Sequence, residues 1–125
     1  MIVDMEVEDI LKKKTITDRL PEDWWDVMRK SVGIVYLLQL EEDKYYIGWT
    51  NNLIGRMTQH WEGHGAKWTK KYPPLRCLWL AKGDTTLETK VAAKCRKLWG
   101  EENVRGGPWT GDGSHLQFEL DRQRS

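Results

Sequence analysis

The chain is poor in several things, and each shortage excludes something. Two cysteines in 125 residues are too few for a disulfide framework or for a zinc site built on thiols alone. They read as reduced core thiols of an intracellular protein. No apolar run approaches the ~20 residues a membrane span needs, so no membrane partner is expected. The first ten residues, MIVDMEVEDI, are acidic and carry no basic stretch ahead of an apolar one. No secretory leader is expected there, and the cytoplasm or nucleus is the expected location. The sequence has no Walker-type phosphate loop, dinucleotide fingerprint or nucleophile triad. His64, Asp112 and His115 do not have the spacing of a metal site.

Eight tryptophans stand against one phenylalanine, so much of the apolar surface comes with an indole N–H that needs a partner. Hydrophobic residues make up 39% and charged residues 31%, which fits one soluble globular domain with a modest core. The net charge of +1 says little, but its distribution says more. Residues 1–30 carry −2, residues 31–105 carry +4 and residues 106–125 carry −1. The middle segment is therefore the basic one, with cations at Lys67, Lys70, Lys71 and Arg76 and again from Lys90 to Lys97. Such patches favour phosphate backbones, although a solvated helix face looks the same.

The period of the apolar residues predicts a small α/β fold, a three-stranded and mainly antiparallel sheet flanked by helices. Ile34–Leu40 and Tyr45–Trp49 read as a β-hairpin around the polar turn Glu41–Lys44. Thr50, Asn51 and Asn52 offer N-cap chemistry to a helix through Leu53, Met57 and Trp61. Glu62–Lys71 reads as a loop, ended by Pro73-Pro74. Leu75–Lys82 supplies the third strand. Ahead of the hairpin, Pro21 and EDWWDVMRK read as a helix start within an N-terminal helical extension, residues 1–30, that also offers a short helix at Val7–Lys13. After residue 107 comes a tail, residues 108–125, with a short strand pattern at His115–Leu120.

Thr85–Trp99 reads as a helix closed by Gly100. At 100° per residue, Glu88 falls on the same stripe as Val91, Ala92, Cys95 and Trp99. A carboxylate on an apolar face needs a cation, either a salt-bridge partner such as Arg56 or Lys67 or a bound metal ion. Arg56 and His60 are i and i+4 and share a helix face at the margin of the core. They are either exposed helix residues or a phosphate clamp beside a proton carrier. Tyr36, Tyr45 and Tyr46 are ordinary strand residues whose phenols have chemistry to offer if a site forms around them. Asn103 to Gly107 places Arg105 beside two glycines, which suits either a tight turn or a close approach of phosphate to backbone.

Taken in order, Tyr36, Tyr46-Ile47-Gly48, Arg56, His60 and Glu88 resemble the GIY-YIG nuclease family over residues 33–107. GAKWTKKYPPLRCLWL and GEENVRGG resemble further parts of that family. The first half of the family's name falls on Ile34-Val35-Tyr36, with Gly33 one position early, while the spacing from Tyr36 to Tyr46 is kept. The resemblance implies an endonuclease that hydrolyses DNA phosphodiesters, in duplex or branched DNA, with one magnesium or manganese ion on Glu88. It implies a tyrosine base, Tyr36, and Arg56 on the scissile phosphate. In such a site His60 and Tyr46 are expected to orient the base or the water, and from the charge clusters and the glycine run Lys67, Lys70, Lys71 and Arg105 are expected to contact nucleic acid. The other alignment, with Gly33-Ile34-Val35 on the motif, makes Tyr46 the base. A chain this short has no obvious targeting module, so a partner protein or DNA shape is expected to direct it. Two other readings stay open, a nucleic-acid-binding module that does not cut and a protein-interaction domain built on the Trp-rich N-terminal segment.

Overall fold

The computed structural model describes residues 16–110, and the expected Val7–Lys13 helix and His115–Leu120 strand lie outside them. The described elements are α1 (Trp24–Lys30), β1 (Ile34–Leu40), β2 (Lys44–Thr50), α2 (Leu53–Trp61), α3 (Lys67–Lys71), β3 (Pro74–Lys82), α4 (Thr85–Trp99) and β4 (Val104–Gly106). None of the helices is long and apolar enough to cross a membrane, among the described residues.

The α/β class holds, but the sheet has four strands in the order β3-β1-β2-β4. β1 pairs antiparallel with both β2 and β3. The strand not expected from sequence is β4, which pairs parallel with Tyr45, Tyr46 and Ile47 of β2. It has one apolar residue, Val104, and so no period to detect. Pairing along the free edge of β2 makes it a strand.

Alternation along β1 divides the core between the two faces of the sheet. Ile34, Tyr36, Leu38 and Leu40 pack with Leu53 and Met57 of α2 and Trp68 of α3. Val35 and Leu37 pack on the other face with Ile47, Val104 and the α4 residues Ala92 and Cys95. A strand covered on both sides accounts for the near-continuous apolar run that marks β1 in the sequence. Cys77 and Cys95 are buried and free, one in each cluster.

Local chemistry places the helices. The Asn52 side chain accepts from the Gly55 N–H at 3.2 Å and starts α2. Asp84 does the same for α4 through the Leu87 N–H at 3.0 Å. Gly100, at φ 96°, turns the chain out of α4 in a conformation that favours glycine. α3 stands within the expected loop. Trp68 and Thr69 are buried, and the Trp68 Nε1–H donates to the Tyr45 carbonyl at 3.0 Å. Tertiary burial, not helix propensity, holds these five residues.

The N-terminal extension contributes to the domain core. Ile16 and Leu20 are 7% and 8% exposed within the α2-side cluster, and Trp24, Val27 and Met28 pack against it. The Cys77 N–H donates to the Arg19 carbonyl at 2.8 Å, tying this segment to β3. Truncating Leu20 removes buried methyl groups and leaves a cavity, so Leu20→Ala is expected to lower the unfolding free energy by about 2 kcal/mol or more. Urea denaturation measures this. A loss below about 0.5 kcal/mol would show that the segment only rests on the surface.

Candidate active site

The sequence candidates Tyr36, Tyr46, Arg56 and His60 come together on the α2 side of the sheet. Tyr36 and Tyr46 share a face because they stand two positions apart in pairing register, with Tyr36 opposite Gly48 and Leu38 opposite Tyr46. Their ring centroids are 6.3 Å apart. Val35, the alternative motif position, faces the other layer. Tyr45 does too, stacked on Trp99 at 4.1 Å between centroids.

Gly48 makes room for the site. A Cβ on that residue would land on the Tyr36 hydroxyl. Tyr36 is fully buried, and its hydroxyl lies 2.8 Å from His60 Nε2. The His60 ring also meets the edge of Tyr46, 5.3 Å between centroids. On its far side, His60 Nδ1 lies 3.0 Å from Thr69 Oγ1. Thr69 is absent from the sequence candidates, because KWTKK reads as part of a polar loop, where a threonine carries no signal.

Burial controls the protonation states. His60 is 1% exposed. Desolvation, helped by the positive charge of Arg56, pushes its pKa down to about 3, so it is neutral at physiological pH. Burial raises the Tyr36 phenol well above its ordinary value, and Tyr46 adds to this while Arg56 opposes it. Tyr46 is raised by burial too, again opposed by Arg56. Burial draws the Arg56 guanidinium downward, but hydrogen bonds and charge interaction with Tyr36 and Tyr46 hold it above its usual range. It is a fixed cation aimed at two neutral phenols. Gln59 Oε1 holds its Nη1 at 2.9 Å.

Glu88 comes from α4, on the other layer. β4 ends at Gly106, paired with Ile47, so the edge of β2 beyond Ile47 is not covered by a strand. There the Trp49 backbone N–H is near enough to favour the Glu88 carboxylate, partly offsetting the burial that raises its pKa. The Glu88 charge is close enough to raise the pKa of both Tyr36 and Tyr46. No Lys, Arg or His forms an ion pair with Glu88 among the described residues, so the expected salt bridge to Arg56 or Lys67 is not there. A half-buried carboxylate without a cationic partner fits a metal ligand. No group of three or more His, Cys, Asp or Glu converges among the described residues. A single carboxylate suits a hard, largely hydrated cation such as magnesium.

The expected nucleic-acid contacts divide in two. Lys67, Lys70 and Lys71 are exposed on α3, the helix that carries Thr69. Arg105 is 1% exposed. It donates to the carbonyls of Glu101 and Val104, at 2.7 and 2.8 Å, and lies over the Trp68 ring at 4.2 Å. Its guanidinium braces α3 and β4 from inside, which corrects the expectation of a surface contact. Asn103 is structural as well: it donates to the Trp99 carbonyl and accepts from Lys44, each at 2.7 Å.

Comparison with known proteins gives a consistent result. A family model described as the GIY-YIG catalytic domain matches residues 32–94. A UPF0213 protein of Clostridium perfringens is 40% identical over 74 residues, 59% of this chain and 75% of that protein. A UPF0213 protein of Listeria monocytogenes is 34% identical over 71 residues, 56% of this chain and 80% of that protein. One from Oceanobacillus iheyensis is 40% identical over 48 residues, 38% of this chain and 56% of that protein. No solved structure matches at a significant level.

The buried histidine has a consequence for stability. An unfolded histidine titrates near 6.5, while His60 in the folded chain titrates near 3. Between those values the unfolded state binds more protons, so stability is complete above about 6.5 and falls as pH drops towards 3. Where both conditions hold, the slope approaches about 1.4 kcal/mol per pH unit. His60→Gln is expected to remove that part of the slope. Denaturation of both proteins at several pH values between 4 and 7 tests this, and parallel curves would overturn the assignment.

Proposed function

Because the chain belongs to the GIY-YIG family through its matched catalytic domain, we propose that it is an endonuclease that hydrolyses DNA phosphodiesters with one magnesium or manganese ion. Membership places it in a nuclease class that acts on nucleic acid and generally uses divalent ions. The choice of DNA follows the family resemblance, and the ion and the residue roles rest on the site. The observation that carries it is the convergence of two phenols, an arginine and a histidine beside a glycine that keeps the space open.

In this reading Tyr36 is the general base. Its high pKa means that almost no free phenolate is present, so the phenol works through its hydrogen bond. As the Tyr36 oxygen takes a proton from the attacking water, the phenolic proton passes to His60 Nε2, 2.8 Å away. Arg56 holds the non-bridging phosphate oxygens with its planar fork of donors. Tyr46, against the His60 ring, orients the water. Glu88 holds the divalent ion, which when bound supplies positive charge to offset the charge developing on the phosphate and leaving oxygens. Lys67, Lys70 and Lys71 track the backbone.

Two variants test the roles. Glu88→Gln keeps shape and removes charge, so the fold is expected to survive while metal-dependent cleavage falls by orders of magnitude. A well-folded variant that nicks a plasmid at the wild-type rate would sink the metal role.

Tyr36→Phe removes one oxygen and leaves a ring to pack. Its single-turnover rate is expected to drop about 100-fold or more, the scale of losing a general base, with DNA binding kept. Tyr46→Phe is expected to cost less, and Tyr45→Phe least, because Tyr45 is in the other layer. A larger loss for Tyr46→Phe than for Tyr36→Phe would move the base to Tyr46.

A further inference from the structure

Thr69 makes two close contacts with a single hydroxyl proton. Its Oγ1 lies 3.0 Å from the Ala66 carbonyl oxygen and 3.0 Å from His60 Nδ1. The Ala66 carbonyl also takes the Lys70 N–H at 3.1 Å, but a carbonyl oxygen can only accept, so its 3.0 Å contact with Oγ1 holds a hydrogen only if Thr69 donates it. The Thr69 oxygen is then an acceptor towards His60, and Nδ1 must carry the imidazole proton. All three contacts are satisfied only in this arrangement. With the proton on Nε2 instead, Thr69 would face two acceptors with one proton. One buried pair would then be left without a hydrogen.

Gly65 protects the arrangement, since a side chain there would press on His60 Nδ1. Thr69 and His60 are each 1% exposed, so water does not compete for the contact.

We infer that Thr69 is a positioning residue that fixes His60 as its Nδ1–H tautomer and so turns the Nε2 lone pair towards the Tyr36 hydroxyl. The inference rests on the nuclease reading for its catalytic consequence but not for the tautomer. It gives α3 a function beyond its lysines: the helix that offers cations to a backbone also sets the proton acceptor of the site.

The test compares wild type with Thr69→Val and Thr69→Ser. The ¹⁵N NMR shifts of the imidazole nitrogens in the free protein report the tautomer, with His60→Gln identifying the resonances. Valine keeps the branched shape and loses the acceptor, while serine keeps the hydroxyl. Thr69→Val is expected to lose the pure Nδ1–H signature and to cut the single-turnover rate at saturating enzyme about 10-fold or more, with DNA affinity unchanged. Thr69→Ser is expected to restore both, and thermal melts confirm that each variant is folded. Retention of the Nδ1–H tautomer in Thr69→Val overturns the inference. So does a changed tautomer with an unchanged rate while Tyr36→Phe is impaired. If the wild-type protein cuts no nucleic acid, the nuclease reading fails, and the tautomer comparison still decides whether Thr69 sets His60.

Discussion

The Tyr36 ring occupies space that any side chain at residue 48 would need, and the site is built on that vacancy. With the phenol lodged over the β2 backbone, its hydroxyl meets His60 from α2 at 2.8 Å. That hydrogen bond joins the central strand to the helix following the hairpin. His60 then engages α3 through Thr69. Three elements are thus connected through side chains that are all buried. Moving any one of them would break a buried hydrogen bond, which penalises small displacements.

The same burial determines the chemistry available. Buried and close to a cation, the histidine stays neutral, and a buried phenol keeps its proton. Neither is an effective base through bulk titration. In the proposed role their contact carries the proton: as the water's proton reaches the Tyr36 oxygen the phenolic proton leaves for His60 Nε2, so the phenol stays neutral and the positive charge appears on the imidazole. Arg56 supplies the fixed charge nearby. Glu88 approaches from the opposite layer, at the edge that β4 leaves open. The shortness of β4 therefore bears on the site as directly as the motif residues do.

The basic excess of the middle segment is not one surface. Arg96 and Arg105 are inside, donating to backbone carbonyls around β4 and lying over the rings of Trp109 and Trp68. Arginine suits this use because its planar head is weakly hydrated and offers several donors. The α3 lysines keep strongly hydrated ammonium groups outside. A count of cations cannot separate these roles, since the difference lies in which carbonyls and rings surround each group.

Sequence alone determined the parts governed by local rules. Alternation put Tyr45 and Tyr46 on opposite faces of a strand, with the hairpin register deciding that Tyr46 is the one beside Tyr36; the i, i+4 spacing put Arg56 and His60 on one side of a helix, and the 3.6-residue period put Glu88 on the inner stripe of Thr85–Trp99. Asn52 and Asp84 cap helices that begin where their side chains can reach a free N–H. The tertiary structure decided what depends on residues far apart in the chain. β4 exists through pairing with β2, α3 through the burial of Trp68 and Thr69, and Arg105 is inside because it bridges the two. The contact of Thr69 with His60 spans a loop and a helix start, and no period or propensity encodes it. Local preferences act over a few residues, whereas these features arise only when separate elements close on one another and must satisfy their buried polar groups together.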